Sequence, residues 1–177
     1  MKKALLFFSE LDSTDLEWML AKGKKETLDT GKVLIQEGMG INALYIVLSG
    51  SFSVSIEANN QQVLARILTG EIVGEVSFID TRTPLATVRA QEPSTVLAVS
   101  RAQLTTKLQQ DSSFSARFYR AVCLCLSDRL RGTISRLGYG RELEELDSEK
   151  APFSPAMMGT LELAEARLRW ITENARA

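Results

Sequence analysis

The residues equipped for chemistry gather in one stretch, Gly74 to Ala90, which reads GEVSFIDTRTPLATVRA. It holds a carboxylate at Glu75 directly after a glycine, hydroxyls at Ser77, Thr83 and Thr87, and a guanidinium at Arg82. Polar, turn-prone and small residues separate the Gly-Glu pair from a short alternating run at the end. Loops of this length in a compact domain are usually functional, so this is the candidate ligand site.

The rest of the composition removes most catalytic chemistry. None of the 177 residues is a histidine, which takes away the usual general base, the Ser-His-Asp and Cys-His arrangements and imidazole-built metal sites. No catalytic residue and no metal site is assigned, and the chain is expected not to be an enzyme. Cys123 and Cys125 lie two apart in a helical segment, where i and i+2 do not face each other. They read as small apolar fillers in a reducing cytoplasm. The first ten residues carry two lysines and then five apolar residues before Ser9, too few for a secretory core. No run approaches the roughly 18 apolar residues of a membrane span. A cytoplasmic protein without membrane contact is expected.

The elements that must position the loop follow from periodicity. Asp12 reads as an N-cap with Asp15 three residues on and Leu11 and Leu16 as a hydrophobic staple, opening a helix that ends near Gly23. Candidate strands are Lys32–Glu37, Ala43–Leu48, Ser51–Glu57, Gln62–Ile67, Ala86–Ala90 and Thr95–Val99, with glycines, Asn59-Asn60 and Pro93 as turns. In Ser51–Glu57 the pattern puts Phe52, Val54 and Ile56 inward and the serines outward. Leu44 to Leu48 is apolar throughout, which predicts a strand buried on both faces. Regular short strands predict a mainly β fold, a sandwich or jelly roll with flanking helices.

After Ser100 the period becomes helical: a helix near Arg101–Gln110, then a long one near Phe114–Leu137 ended by Gly138. Its stripe contains Phe118, Val122, Cys125, Leu126, Leu130, Ile134 and Leu137. A helix that long outreaches a small domain, so part of the stripe is expected to meet a second copy of the chain. Residues 138–154 read as an acidic linker, and Ser154-Pro155 opens a final amphipathic helix over 155–177. There Met157, Leu161, Ala164, Leu168, Ile171 and Ala175 recur at spacings of 4, 3, 4, 3 and 4, a seam that predicts docking on its own domain or on another chain, with a dimer or protein partner favoured. Residues 101–141 carry a net charge of +6 and residues 142–177 a net of -4 within a total of -1. The basic segment reads either as a contact for an acidic partner or as a solvated face.

Two segments, GKVLIQEGMGINALYIVLSGSFSVSI from Gly31 and GEVSFIDTRTPLATVRA from Gly74, together resemble the cyclic-nucleotide-binding domain of catabolite-activator-type regulators, kinase regulatory subunits and gated channels. The resemblance spans roughly residues 5 to 140. It implies an eight-stranded jelly roll over 1–137, the long helix included, and makes the central loop a phosphate-binding cassette. By that resemblance Gly74 gives the tight backbone and Glu75 accepts from a ribose 2'-hydroxyl. A one-turn helix from Ser77 offers backbone N–H groups to an anion, with Val76 at its start. The family's Pro-Arg-Ala-Ala falls on Thr83, Pro84, Leu85 and Ala86, so proline stands where the phosphate arginine belongs.

A charge-assisted hydrogen bond to a buried anion contributes about 1.5 to 3 kcal/mol, and an unpaired anion costs as much again. Their loss amounts to on the order of a hundredfold in affinity. The expectation is a non-enzymatic regulatory module with a degenerate cassette, acting as a homodimer and through partners. The alternative is a sensor that binds a cyclic nucleotide or another anion with Arg82 in place of the missing arginine. No helix-turn-helix follows the long helix, so sequence-specific DNA binding by this chain alone is not expected.

Overall fold

A computed structural model describes residues 5–56, 63–136 and 155–175. Two short helices, α1 (Leu6–Glu10) and α2 (Ser13–Lys22), precede eight strands. These are β1 (Gly23–Leu28), β2 (Val33–Ile35), β3 (Ala43–Ser49), β4 (Ser51–Ser55), β5 (Val63–Leu68), β6 (Ile72–Val73), β7 (Thr87–Ala90) and β8 (Ser94–Ser100). A short helix, α3 (Glu75–Asp80), interrupts them between β6 and β7, and α4 (Arg101–Gln110), α5 (Ser112–Arg136) and α6 (Pro155–Asn174) follow. Antiparallel pairing gives two four-stranded sheets, β1-β8-β3-β6 and β2-β7-β4-β5. This is the expected jelly roll.

The apolar run of β3 explains how the layers stack. Leu44, Ile46 and Leu48 join Leu97, Val99, Phe114 and Phe118 in a core between the first sheet and the helices. Val47 faces the other way, into a second core with Val96, Phe52, Ile67 and Val88 between the sheets. One strand is therefore buried on both faces, as its composition requires. In β4 the alternation is incomplete: Ser53 and Ser55 are buried as well. β4 is an interior strand paired on both edges, and Gln91 reaches over to donate to the Ser53 hydroxyl at 2.8 Å, so a small polar side chain disappears under its neighbours.

Two strands depart from the sequence expectation. β1 has two lysines and a glutamate and no apolar alternation, and it pairs only with β8 at the sheet edge, where charge discourages further pairing. β6 is too short to show a period. Gly23 ends α2 in extended rather than left-handed backbone, and its lack of a side chain matters for packing: a Cβ there would lie 2.6 Å from Leu97 Cδ1.

The helical layer corrects two expectations about partners. Phe118 and Val122 belong to the chain's own core, and Cys125 and Leu126 pack against it, so the first half of the α5 stripe is not available to a second copy. Leu130 and Ile134 remain exposed, while Leu137 lies outside the described residues, as do Glu57, Asn59-Asn60, Gly138 and the 138–154 linker. The α6 seam turns inward too: Leu161, Ala164 and Ile171 are buried and Leu168 is half-buried against α1 and α2. The Met157 side chain is outside the described set. Arg167 secures this docking by donating to the Phe8 carbonyl at 2.9 Å, where α1 ends, a favourable place for a cation.

Between α2 and α5, Asp15 is buried and accepts two hydrogen bonds from Arg117, at 2.7 and 2.8 Å. Asp12 and Asp15 also form the expected capping box. Removing the guanidinium strands a buried carboxylate. Arg117→Ala is expected to lower unfolding free energy by about 2–3 kcal/mol in urea titration, and a loss below about 0.5 kcal/mol would contradict this.

Burial opposes charge on Asp12, but hydrogen bonds from Asp15 and Thr14 and the Arg117 charge hold its carboxyl below the ordinary value. The lowered folded value means that its stabilisation is present above the unfolded pKa and disappears as pH falls through the folded one. The urea midpoint should therefore drop below about pH 4, with a shallower acid limb in Asp12→Asn. Identical limbs in the two proteins would refute this assignment.

Candidate functional site

The candidate loop lies between β6 and β7. Gly74 has φ 94°, a left-handed backbone that favours glycine, and a Cβ there would also crowd the Ala43 carbonyl at 3.1 Å. The chain turns through it into α3, which ends at Thr81 with φ 61° and an N–H donated to the Ser77 carbonyl at 3.1 Å. Arg101, at the start of α4, donates to the Ser77 and Phe78 carbonyls at 3.0 and 3.3 Å, a cation at the C-terminal end of a short helix.

Two side chains of α3 tie it to α5. Phe78 meets Phe118 edge to face at 5.8 Å, and Phe118 also stacks on Phe114 and meets Phe7. Glu75, only 2% exposed, forms an ion pair with Arg129, whose other nitrogen donates to the Ile72 carbonyl. Burial works against charge on Arg129, but Glu75 and Glu71 beside it raise its pKa and hold it protonated. The carboxylate that sequence comparison assigns to a ligand hydroxyl is therefore satisfied from within the chain. Arg129 went unassigned in the sequence because it lies 54 residues from Glu75. The available signal was an arginine flanked by Asp128 and Leu130 in the distal part of an otherwise apolar stripe.

The remaining candidates divide. Gly74, Glu75, Val76, Ser77, Arg82, Thr83, Pro84, Leu85 and Ala86 all line one cavity, together with Arg129 and inter-sheet residues such as Val54, Val73 and Val88. Thr87 is elsewhere: its hydroxyl accepts from the Glu37 N–H at 3.1 Å and from Gln36 at 3.3 Å, so it fastens β7 to the end of β2. The Pro84 carbonyl likewise accepts from Gly38 N–H at 2.9 Å, which pins the loop to the β2–β3 turn. Arg82 is 79% exposed and bound to Asp80 at 2.7 Å. Leu85 is 75% exposed at the rim.

Neither thiol lines the cavity. Cys123 is exposed, contrary to its reading as a filler, because its place on α5 is opposite the core. Burial pushes the Cys125 thiol up to about 12, so it remains protonated and unreactive. Among the described residues no helix is long and apolar enough to cross a membrane.

Fold and loop together define the class: a two-sheet jelly roll with a Gly-Glu cassette between β6 and β7. Residues 25–111 match the family model described as the cyclic nucleotide-binding domain. A cyclic nucleotide-binding domain from Methylobacillus flagellatus superposes with a TM-score of 0.68 at 20% identity, covering 76% of this chain and 81% of that one. The N-terminal domain of a transcriptional regulator from Streptomyces coelicolor gives 0.58 at 26% identity, covering 74% and 90%. A cGMP-dependent protein kinase from Eimeria tenella is 30% identical over 109 residues, which is 61% of this chain and 11% of the kinase. The chain thus spans about a tenth of that relative's length.

The ion pair between cassette and helix yields a direct test. Arg129→Met alone strands buried Glu75 and should cost about 2–4 kcal/mol, whereas the double variant Glu75→Gln/Arg129→Met should recover a large part of it. Additive losses in the double-mutant cycle would show that the two side chains do not act as a pair.

Proposed function

We propose that this chain is a non-enzymatic regulatory module that uses the cyclic-nucleotide-binding fold without taking a cyclic phosphate in the family's manner. The observation that carries this reading is Pro84 at the phosphate-arginine position, in a cavity where Arg82 and Arg129 are each held by a carboxylate of the same chain. Its output is assigned to self-association and to protein partners in the cytoplasm. The distal half of α5, where Leu130 and Ile134 stand exposed one turn apart, supports the homodimer.

One observation favours a sensor instead: Arg82 does line the cavity. For that reading its guanidinium must leave Asp80 and turn inward to meet an anion. Most of its surface faces solvent, which weighs against this.

Calorimetry separates the two. The natural protein should give no binding heat with cAMP or cGMP, and Pro84→Arg should gain affinity by on the order of a hundredfold, enough to make binding measurable. Micromolar binding by the natural protein that Arg82→Ala abolishes would establish the sensor. Sedimentation at micromolar concentration should show a dimer that Leu130→Glu/Ile134→Glu converts to monomer, and a monomeric natural protein would remove the dimer from the account.

A further inference from the structure

The cavity beneath the Gly74–Thr87 loop has a charge balance that selects for a class of ligand. Four ionised side chains line it, Glu75, Asp80, Arg82 and Arg129, and they are already matched in pairs. The formal sum is zero. Neither guanidinium stands free for an entering anion: taking Arg82 breaks its pair with Asp80, and taking Arg129 leaves Glu75, 2% exposed, as a buried unpaired carboxylate. A neutral molecule disturbs neither pair.

The walls agree with the charges. Ile35, Val54, Ile67, Val73 and Val88 line it, together with the exposed Leu85. The cavity volume is about 180 Å³, and an apolar cavity of roughly 150 Å³ is enough to bind benzene. We propose that this cavity binds a small, uncharged, largely apolar molecule of about one or two fused rings, or an aliphatic chain of similar bulk. The inference rests on the reading that the cassette no longer takes a cyclic phosphate, and it names what the same site takes instead. The rim leucine gives such a molecule an apolar path inward, and burial of its surface supplies the affinity.

Methyl and amide NMR of the full chain can test this with three probes: indole, which is neutral, indole-3-acetate, which adds a carboxylate to the same ring, and cAMP. Saturable shifts with indole are expected at the Val54, Val73 and Val88 methyls, with indole-3-acetate weaker by about tenfold or more. Ala86→Trp should abolish the indole shifts by filling the cavity. Leu85→Lys, at an exposed position that folding tolerates, should erase the preference for the neutral probe by adding an unpaired cation at the rim.

The inference is overturned if indole produces no saturable shifts there. Equal or tighter binding of indole-3-acetate overturns it too, as do shifts confined to the groove between α2 and α6 at Glu17, Arg167 and Trp170. Saturable cAMP binding at the Glu75 and Pro84 amides would instead overturn the reading on which it rests. With cAMP silent, failure of indole removes only this inference.

Discussion

The ion pair between Glu75 and Arg129 is the constraint on which the rest of the molecule depends. A carboxylate that is 2% exposed must be compensated, and the compensating group comes from the distal part of α5, whose first turns carry Phe114 and Phe118 of the aromatic core. That requirement fixes where α5 crosses the cassette. Phe78 against Phe118 supplies the apolar half of the same contact, and Arg101 holds the carbonyl end of α3. The short helix is therefore clamped from two directions, by α5 along one side and α4 at its end. Buried ion pairs add little net stability compared with apolar packing; the role supported here is register, setting one geometry between loop and helix.

The same clamp gives the functional reading. A loop that keeps its Gly-Glu turn and its single-turn helix has the backbone of a ligand site, and Gly74 shows how narrowly that backbone is specified. Its charged side chains are nonetheless paired, Glu75 with Arg129 and Arg82 with Asp80, and Thr87 is bound to the end of β2. Most of the remaining lining is apolar. The cavity is thus built like a binding site, while its charges are balanced within the chain.

How much of this could be read in the sequence depends on the range of the interactions involved. Local signals were legible: the Asp12–Asp15 capping box, the doubly buried β3 and the helix break at Asp111. β1 was not, because an edge strand can be polar on both faces and then carries no period. The buried serines of β4 follow from neighbours on both edges, which alternation cannot reveal. The largest gap was in pairings across sequence: Arg129 looked like one more charge on a basic helix, and the α6 seam gave a regular period without naming what it covers. Periodicity reports that a face must be buried, and only the fold assigns its partner, here α1 and α2 rather than a second chain.

The central claim is that Glu75 is held by Arg129 and that no cation awaits a phosphate at Pro84. A crystal structure of the protein purified from its own source, inspected above the loop from Gly74 to Thr87, tests it most directly. The account predicts an intact Glu75–Arg129 pair and no phosphate-bearing density at Pro84. A cyclic nucleotide with its 2'-hydroxyl on Glu75 and its phosphate on an inward-turned Arg82 would contradict it.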